Sequence, residues 1–174
     1  PVDQGALSLV LDPDSGAWEM ITIPYDAPEL SYTRLVLRAE IKSTSEARLD
    51  GTLTARGGMA MGLRHTLRNK TAADKAMQAF ASRLLPGATL GRSESPPEED
   101  TRKPLAIKLE MDASRVIQAE EDHFRFPLPH LVDLAAVVAL ERRETPLRLG
   151  VPEEWSESVA VTLPNGFAFL LTPG

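Results

Sequence analysis

The sequence predicts an α+β fold, mainly antiparallel β and sandwich-like, with two adjacent helices at about 58–69 and 71–85 inserted between strands. In several segments apolar and polar residues alternate, as they do in half-buried strands. Between two of these segments the apolar spacing changes from two to four, which indicates helices. Clusters of Pro, Gly and Asn-Gly separate the segments and supply turns, so about nine strands are expected.

The N-terminal residues predict a hairpin or two successive strands. Residues 6–11 are a short apolar run, residues 12–16 (DPDSG) have the chemistry of a turn, and residues 17–23 alternate again. Pro24 and Pro28 then interrupt strand pairing, because proline lacks the N–H that a ladder needs.

The strictest alternation predicts a strand at 33–42 and a second one at 47–55, joined by the polar turn 43–46. Val36 is the exception to the pattern. We expect an antiparallel hairpin with one buried and one solvent-facing surface. The apolar positions are Leu35, Leu37, Ala39, Ile41, Ala47, Leu49, Leu53 and Ala55.

Gly57-Gly58 ends the alternation, and apolar residues then recur every four positions, which predicts the first helix. Its apolar stripe is Met59, Leu63 and Leu67. For the second helix we expect Thr71 as the N-cap, with Asp74 at the capping-box position. Pro86-Gly87 should end that helix.

The second half of the chain is predicted from shorter patterns. Residues 88–92 are a strand candidate, and residues 93–103, rich in Ser, Pro and acids, predict an exposed mobile loop. Residues 105–112 alternate clearly and predict a strand. Two shorter strand candidates follow at 116–119 and 123–128.

The C-terminal third is predicted to hold a helix, an edge strand and a hairpin. The apolar segment 131–140 fits a buried helix or a buried strand, and we favour a short helix. Residues 147–150 suit an edge strand between Pro146 and Pro152. Residues 159–163 and 167–171 alternate on either side of Pro164-Asn165-Gly166, which predicts a hairpin.

Length, charge and cysteine content exclude several functional classes. The 174 residues fit one domain. With 19 Lys and Arg against 25 Asp and Glu, the net charge of −6 repels phosphate backbones, so we expect no nucleic-acid partner. The longest apolar stretch, 134–140, is far shorter than the about 20 residues that span a bilayer. The absence of cysteine excludes a disulfide, a thiol nucleophile, an iron–sulfur cluster and a thiolate zinc site.

No motif predicts a catalytic, cofactor or metal site. His65, His123 and His130 lack the spacing of a zinc site, and we expect His65 to be a partly buried structural residue. Neither Gly-x-Ser-x-Gly nor Ser-x-x-Lys occurs. The acidic runs 98–100 and 120–122 have the composition of solvated loops. We therefore predict no catalytic residue, no metal and no cofactor, and leave the ligand-binding residues unknown.

A series of landmarks recurs in order and spacing over most of the chain. The landmarks are Gln4-Gly5-Ala6-Leu7, residues 18–24, the hairpin at 35–55, Gly58-Met59-Ala60, Leu85-Pro86-Gly87-Ala88, Pro104-Leu105, residues 141–147, Leu163-Pro164-Asn165-Gly166-Phe167 and Pro173. Together they resemble the C-terminal region of large bacterial transglutaminase-like proteins. In that family, β-rich domains of unknown function flank a papain-type domain.

The resemblance implies that this chain is a non-catalytic accessory domain. The Cys-His-Asp triad of the family would lie before residue 1, where the upstream catalytic domain of the same polypeptide would be the partner. Residues 1–28 would be a linker or strand segment that completes or tethers that domain, and residues 29–174 the accessory domain with its helical insertion. The start at Pro1, without a signal peptide, fits an excised fragment. Periplasmic or envelope location is also implied by the resemblance, whereas the residues alone leave the location unknown.

Two alternatives stay open. The first is a small hydrolase or sugar-active domain that uses carboxylates at 98–100 or 120–122, together with His123. The second is a peptide- or glycan-binding module of the cell envelope. Its platforms would be the aromatic residues Trp18, Tyr25, Tyr32 and Trp155, although with aromatics at 5% of the chain we expect most of them in the core.

Overall fold

A five-stranded sheet with two helices packed on its apolar face forms the body of the molecule. The computed structural model describes residues 3–95, 100–133 and 150–170. Within them the strands are β1 (Leu7–Leu11), β2 (Trp18–Thr22), β3 (Tyr32–Ser43), β4 (Glu46–Ala55), β5 (Thr89–Glu94), β6 (Leu105–Asp112), β7 (Gln118–Ala119), β8 (Phe124–Arg125) and β9 (Glu154–Thr162). The helices are α1 (Gly58–Leu67) and α2 (Lys70–Leu84). The predicted α+β fold, mainly β, is confirmed.

The strand order in the main sheet is β5-β6-β4-β3-β9. Three of its four strand pairs are antiparallel, and the fourth pairs β3 with β9 in parallel. The remaining strands form two small antiparallel pairs, β1 with β2 and β7 with β8. The strand predictions at the N-terminal hairpin, at 33–55, at 88–92 and at 105–112 are confirmed.

The apolar face of the sheet follows directly from the alternation in the sequence. Pairing places Leu35 opposite Leu53 and Leu53 opposite Ile107, so one row of the core crosses three strands. All three side chains are at most 2% exposed. Burial of such a side chain stabilises the fold by about 1.5–3 kcal/mol, which makes this face the main source of stability.

The helices cover this face from one side. Ala60 of α1 and Met77, Ala81 and Leu84 of α2 are buried in the same cluster as the sheet residues. The side-chain oxygen of Gln78 accepts a hydrogen bond from the Leu90 backbone N at 3.1 Å, which ties α2 to β5. The layer that opposes the sheet in the described residues is therefore helical.

Gly51 lies in β4 between Leu37 of β3 and Leu109 of β6. A Cβ at this position would lie 2.1 Å from the Val36 carbonyl oxygen and 2.7 Å from the Leu37 Cδ2. The glycine therefore lets the backbones and side chains of the central strands approach each other closely.

The structure corrects the start of the second helix. Asn69, and not Thr71, is the N-cap: its backbone is extended and its Oδ1 accepts a hydrogen bond from the Ala72 N at 3.0 Å. Thr71 lies within the first turn. Asparagine and threonine are both good caps, and the short connection from α1 favours the earlier one. At the other end, α2 ends at Leu84 and the backbone of Leu85 is extended, directly before Pro86-Gly87 as predicted.

The predicted C-terminal hairpin is wrong over the described residues. The turn forms, with Phe167 N donating to Pro164 O at 3.2 Å, but residues 163–170 contain no strand. The strand before the turn is longer than expected and pairs in parallel with β3. Its first half, residues 154–158, has no apolar alternation, and pairing with a strand about 120 residues away leaves no local signal.

The other predictions for this region have mixed outcomes. The candidates at 116–119 and 123–128 contain the two-residue strands β7 and β8, with a 3₁₀ turn at Ser114–Val116. Of the predicted loop 93–103, residues 93–94 belong to β5, residues 96–99 lie outside the described residues, and residues 100–103 form a turn. Most of the predicted helix at 131–140 and edge strand at 147–150 also lies outside them.

Replacement of Gly51 by alanine should lower the free energy of unfolding by about 1–3 kcal/mol, because the new methyl group overlaps the Val36 carbonyl. Urea unfolding followed by circular dichroism measures the change. Gly62→Ala in the exposed face of α1 is the control, since nothing lies within 4 Å of its Cβ position. It should raise the free energy of unfolding by about 0.5–1 kcal/mol, because alanine favours the helix over glycine. Equal effects of the two changes would contradict the close approach at Gly51.

Replacement of Asn69 by alanine should destabilise the fold by about 1 kcal/mol, because the Ala72 N–H loses its acceptor. The same unfolding experiment on Thr71→Ala should show a clearly smaller loss. A larger loss at Thr71 than at Asn69 would mean that α2 begins two residues later.

Candidate functional site

The densest group of ionisable side chains lies in the turn between β7 and β8. His123 Nε2 lies 3.2 Å from Glu120 Oε2, and its Nδ1 lies 2.7 Å from Asp122 Oδ1. Arg125 lies 3.5 Å from the other oxygen of Glu120. The hydrogen bond from His123 lowers the pKa of Asp122 below its ordinary value.

This group is open to solvent and its imidazole is already engaged. The side chains of Glu120 and Asp122 are 47% and 91% exposed. Each ring nitrogen of His123 faces a carboxylate oxygen of the same turn, so a substrate hydroxyl would have to displace one of these contacts to reach the ring. Glu120 and Asp122 also lack burial, which is one common basis for a general acid. The geometry suits closure of the turn, where Glu120 N also donates to His123 O at 2.8 Å.

The other predicted candidates lie apart from this group. Glu98 and Glu99 fall outside the described residues, and Asp100 bonds locally to Arg102. His65 is exposed on α1, so the expectation of a partly buried histidine is wrong: α1 turns the Arg64 and Leu63 side of the helix inward instead. His130 lies 3.7 Å from Glu157 of β9.

Aromatic side chains lie mostly at the surface, contrary to expectation. The fully buried apolar cluster of the described residues consists of Leu, Ala, Ile, Met and Val. Trp18 is 68% exposed, Tyr25 55% and Trp155 42%, whereas Tyr32 is half-buried under the Arg34 guanidinium. Alternating aliphatic residues fill the space between sheet and helices, so the core has no room that requires a large ring.

The most unusual surface of the molecule is one face of the β1–β2 hairpin. The register places Leu9 opposite Met20 and Leu11 opposite Trp18, and Leu7 lies two residues before Leu9 on the same side. Each of these five side chains is between 51% and 68% exposed. We call Leu7, Leu9, Leu11, Trp18 and Met20 the apolar hairpin face.

The turn of this hairpin is held by Asp12. Its carboxylate accepts hydrogen bonds from the Asp14 N at 2.9 Å and from the Ser15 hydroxyl, and Gly16 N donates to its carbonyl at 2.9 Å. The bonds to the carboxylate, that from the Ser15 hydroxyl above all, lower the pKa of Asp12. Gly16 has a φ of 69°, which explains the glycine at this position of the turn.

The open end of the hairpin is closed by contacts within the same segment. Gly5 N donates to Ile23 O at 2.8 Å, and the side chains of Gln4 and Asp26 bond to each other at 2.6 Å. A Cβ on Gly5 would overlap the hydroxyl end of the Tyr25 ring, so the glycine lets this side chain lie close to the backbone. The hairpin is thus locally ordered at both ends.

Exposure of this face is physically costly. An isolated two-stranded hairpin is marginally stable in water, and contiguous exposed apolar patches on proteins mark interaction sites. The reverse face is less exposed, since Ser8 and Ile21 are half-buried. A shallow hollow of about 290 Å³ beside the turn is lined by Val10, Asp12, Ala17, Trp18 and Glu19. The candidate functional site is therefore an interaction surface.

Comparison of the chain with family models, with curated proteins and with solved structures found no match. Among the described residues no three His, Asp or Glu side chains are arranged to hold a metal ion. Neither α1 nor α2 is both long and apolar enough to cross a membrane.

Replacement of Ser15 by alanine should raise the pKa of Asp12 towards its usual value of 3.8, because the largest cause of its lowered pKa is removed. The pKa of Asp12 in the folded protein lies below 3.8, so its charged carboxylate stabilises the turn fully above pH 3.8. This stabilisation is lost as the pH falls through the folded pKa. Carboxyl-detected NMR titration gives the midpoint. Ser8→Ala, on the reverse face, should leave it unchanged, and an unchanged midpoint in Ser15→Ala would refute this assignment.

Proposed function

We propose that this chain is a non-catalytic accessory module that docks on another protein domain through the apolar hairpin face. One observation carries the proposal: five large side chains are aligned on one face of an ordered hairpin and stay exposed. Covering them would contribute on the order of 1 kcal/mol or more for each side chain. This gain is available to a partner with a complementary apolar surface.

The chemistry of the face favours a protein over a glycan as its partner. Four of the five residues are Leu or Met, and flexible aliphatic side chains pack well against other side chains. Sugar recognition would need aromatic platforms surrounded by hydrogen-bond donors and acceptors, and here Trp18 is the one ring on the face.

The resemblance to transglutaminase-like proteins supports a particular partner. In that arrangement a papain-type domain precedes the β-rich region, so the hairpin would be the part of this chain nearest to it in sequence. We propose that the hairpin packs on that domain and orients the rest of the module, or recruits substrates and partners for it. The exposed, locally bonded carboxylates at 120–122 favour this function over a carboxylate-dependent hydrolase.

A single introduced thiol tests the proposal. The chain has no cysteine, so Leu9→Cys places one reactive group on the apolar hairpin face. Its rate of reaction with Ellman's reagent is measured alone and with the separately purified region encoded upstream, whose own thiols are alkylated beforehand. We expect at least about a tenfold slower reaction in the mixture, because docking removes the thiol from water.

Arg38→Cys, on the solvent-facing side of β3, is the matched control and should react at the same rate in both samples. Equal rates for Leu9→Cys with and without the upstream region would refute docking on that region. An upstream coding sequence without a Cys-His-Asp domain would refute the transglutaminase-like part of the proposal.

A further inference from the structure

The charges of the N-terminal segment are all of one sign. Residues 1–33 contain Asp3, Asp12, Asp14, Glu19, Asp26 and Glu29, and the first basic residue is Arg34. Lys and Arg make up 19 of 174 residues, about one in nine, so a stretch of this length would carry three or four on average. The hairpin thus differs from the rest of the chain, where both signs are mixed.

Four of these six acids lie at the two ends of the apolar hairpin face. Asp12 and Asp14 lie in the turn, and Asp3 and Asp26 lie at the open end. All four are exposed, and within the part of the chain that the structure describes none of the six acids forms an ion pair. The main sheet is different, because it carries charges of both signs and two of its ion pairs join neighbouring strands, Arg34 with Glu154 and Lys42 with Glu46.

We infer that the surface covering the apolar hairpin face belongs to a different protein domain, apolar at its centre, with Lys or Arg side chains opposite the two acidic ends of the hairpin. The inference rests on the proposed docking function and adds the chemistry of the partner. Charge complementarity carries it, because unpaired carboxylates beside an apolar patch gain most from cations on the opposing rim.

The same charges disfavour two other occupants of this face, a second copy of the chain and an anionic lipid surface. A second copy of the chain would bring acidic ends and a net charge of −6 against each other. An anionic lipid surface would repel these carboxylates in the same way. A cationic partner is instead attracted from a distance, which speeds its association at low salt.

Synthetic peptides test the inference independently of the upstream region. The probe is a peptide of six residues alternating Thr with Leu or Val, flanked by two lysines on each side. Its counterparts carry glutamates in place of the lysines, or serines in place of Leu and Val. We expect the chain to bind the lysine-flanked apolar peptide at least about tenfold more tightly than either counterpart.

Paired variants assign the binding to the hairpin. Asp3→Asn with Asp14→Asn should weaken binding several-fold and reduce its salt dependence, whereas Glu110→Gln with Glu121→Gln removes the same charge elsewhere and should have little effect. Leu9→Thr with Met20→Thr should reduce binding to the level of the serine peptide. Asp12 is left intact because it holds the turn. Circular dichroism verifies that each variant is folded.

Three results would overturn the inference. They are equal binding of the lysine- and glutamate-flanked peptides, binding that persists in Leu9→Thr with Met20→Thr, and no binding up to about 1 mM. If sedimentation instead shows a concentration-dependent dimer that Leu9→Thr with Met20→Thr abolishes, the face is assigned to a second copy. Binding to phosphatidylglycerol vesicles through the same residues would assign the face to a lipid surface. Protection of Leu9→Cys by the upstream region would still support the proposed function in each of these cases.

Discussion

Every second side chain of β3 and β4 is buried in the core, and the rest of the described fold depends on this burial. The two strands pair from Thr33 with Ala55 to Ser43 with Glu46, so their inner residues form continuous rows with those of β6. A shift of the strand pairing by one residue would turn all the apolar side chains of the shifted strand towards solvent. α2 and α1 then cover a surface whose pattern is already determined by the strands, and Gly51 permits the close packing at its centre.

The N-terminal hairpin shows the same alternation without the cover. Its strands place Leu, Met and Trp on one side as regularly as β3 does, yet the described chain provides no helix for that side. The turn at Asp12 and the bonds at the open end keep the hairpin formed while its apolar side faces water. In the proposed function, this uncovered side is a surface for association, and the acids at its ends favour a partner with Lys or Arg side chains.

Much of the fold could be predicted from the residues, because alternation and helical spacing are local. The strands at 33–55 and 105–112 and both helices follow from such patterns. The first half of β9 did not follow from such patterns, since residues 154–158 carry no apolar period and depend on β3 for their conformation. The N-cap was placed at Thr71 instead of Asn69, since two adequate caps lie two residues apart. The residues of the candidate site were recognised as strand, but only the structure shows that their apolar side is uncovered: burial depends on which layers are present.

The parallel pairing of β3 with β9 has a consequence for the nascent chain. β3 is synthesised about 120 residues before β9, its outer neighbour in the sheet. The two strands pair along nine residues, and Arg34 also bonds to Glu154 and Ser156. Until β9 is synthesised, one side of β3 is an open template for pairing with other molecules. The side chains Arg34, Arg38 and Lys42 lie along that strand, and such positive charges act as gatekeepers against aggregation during this interval.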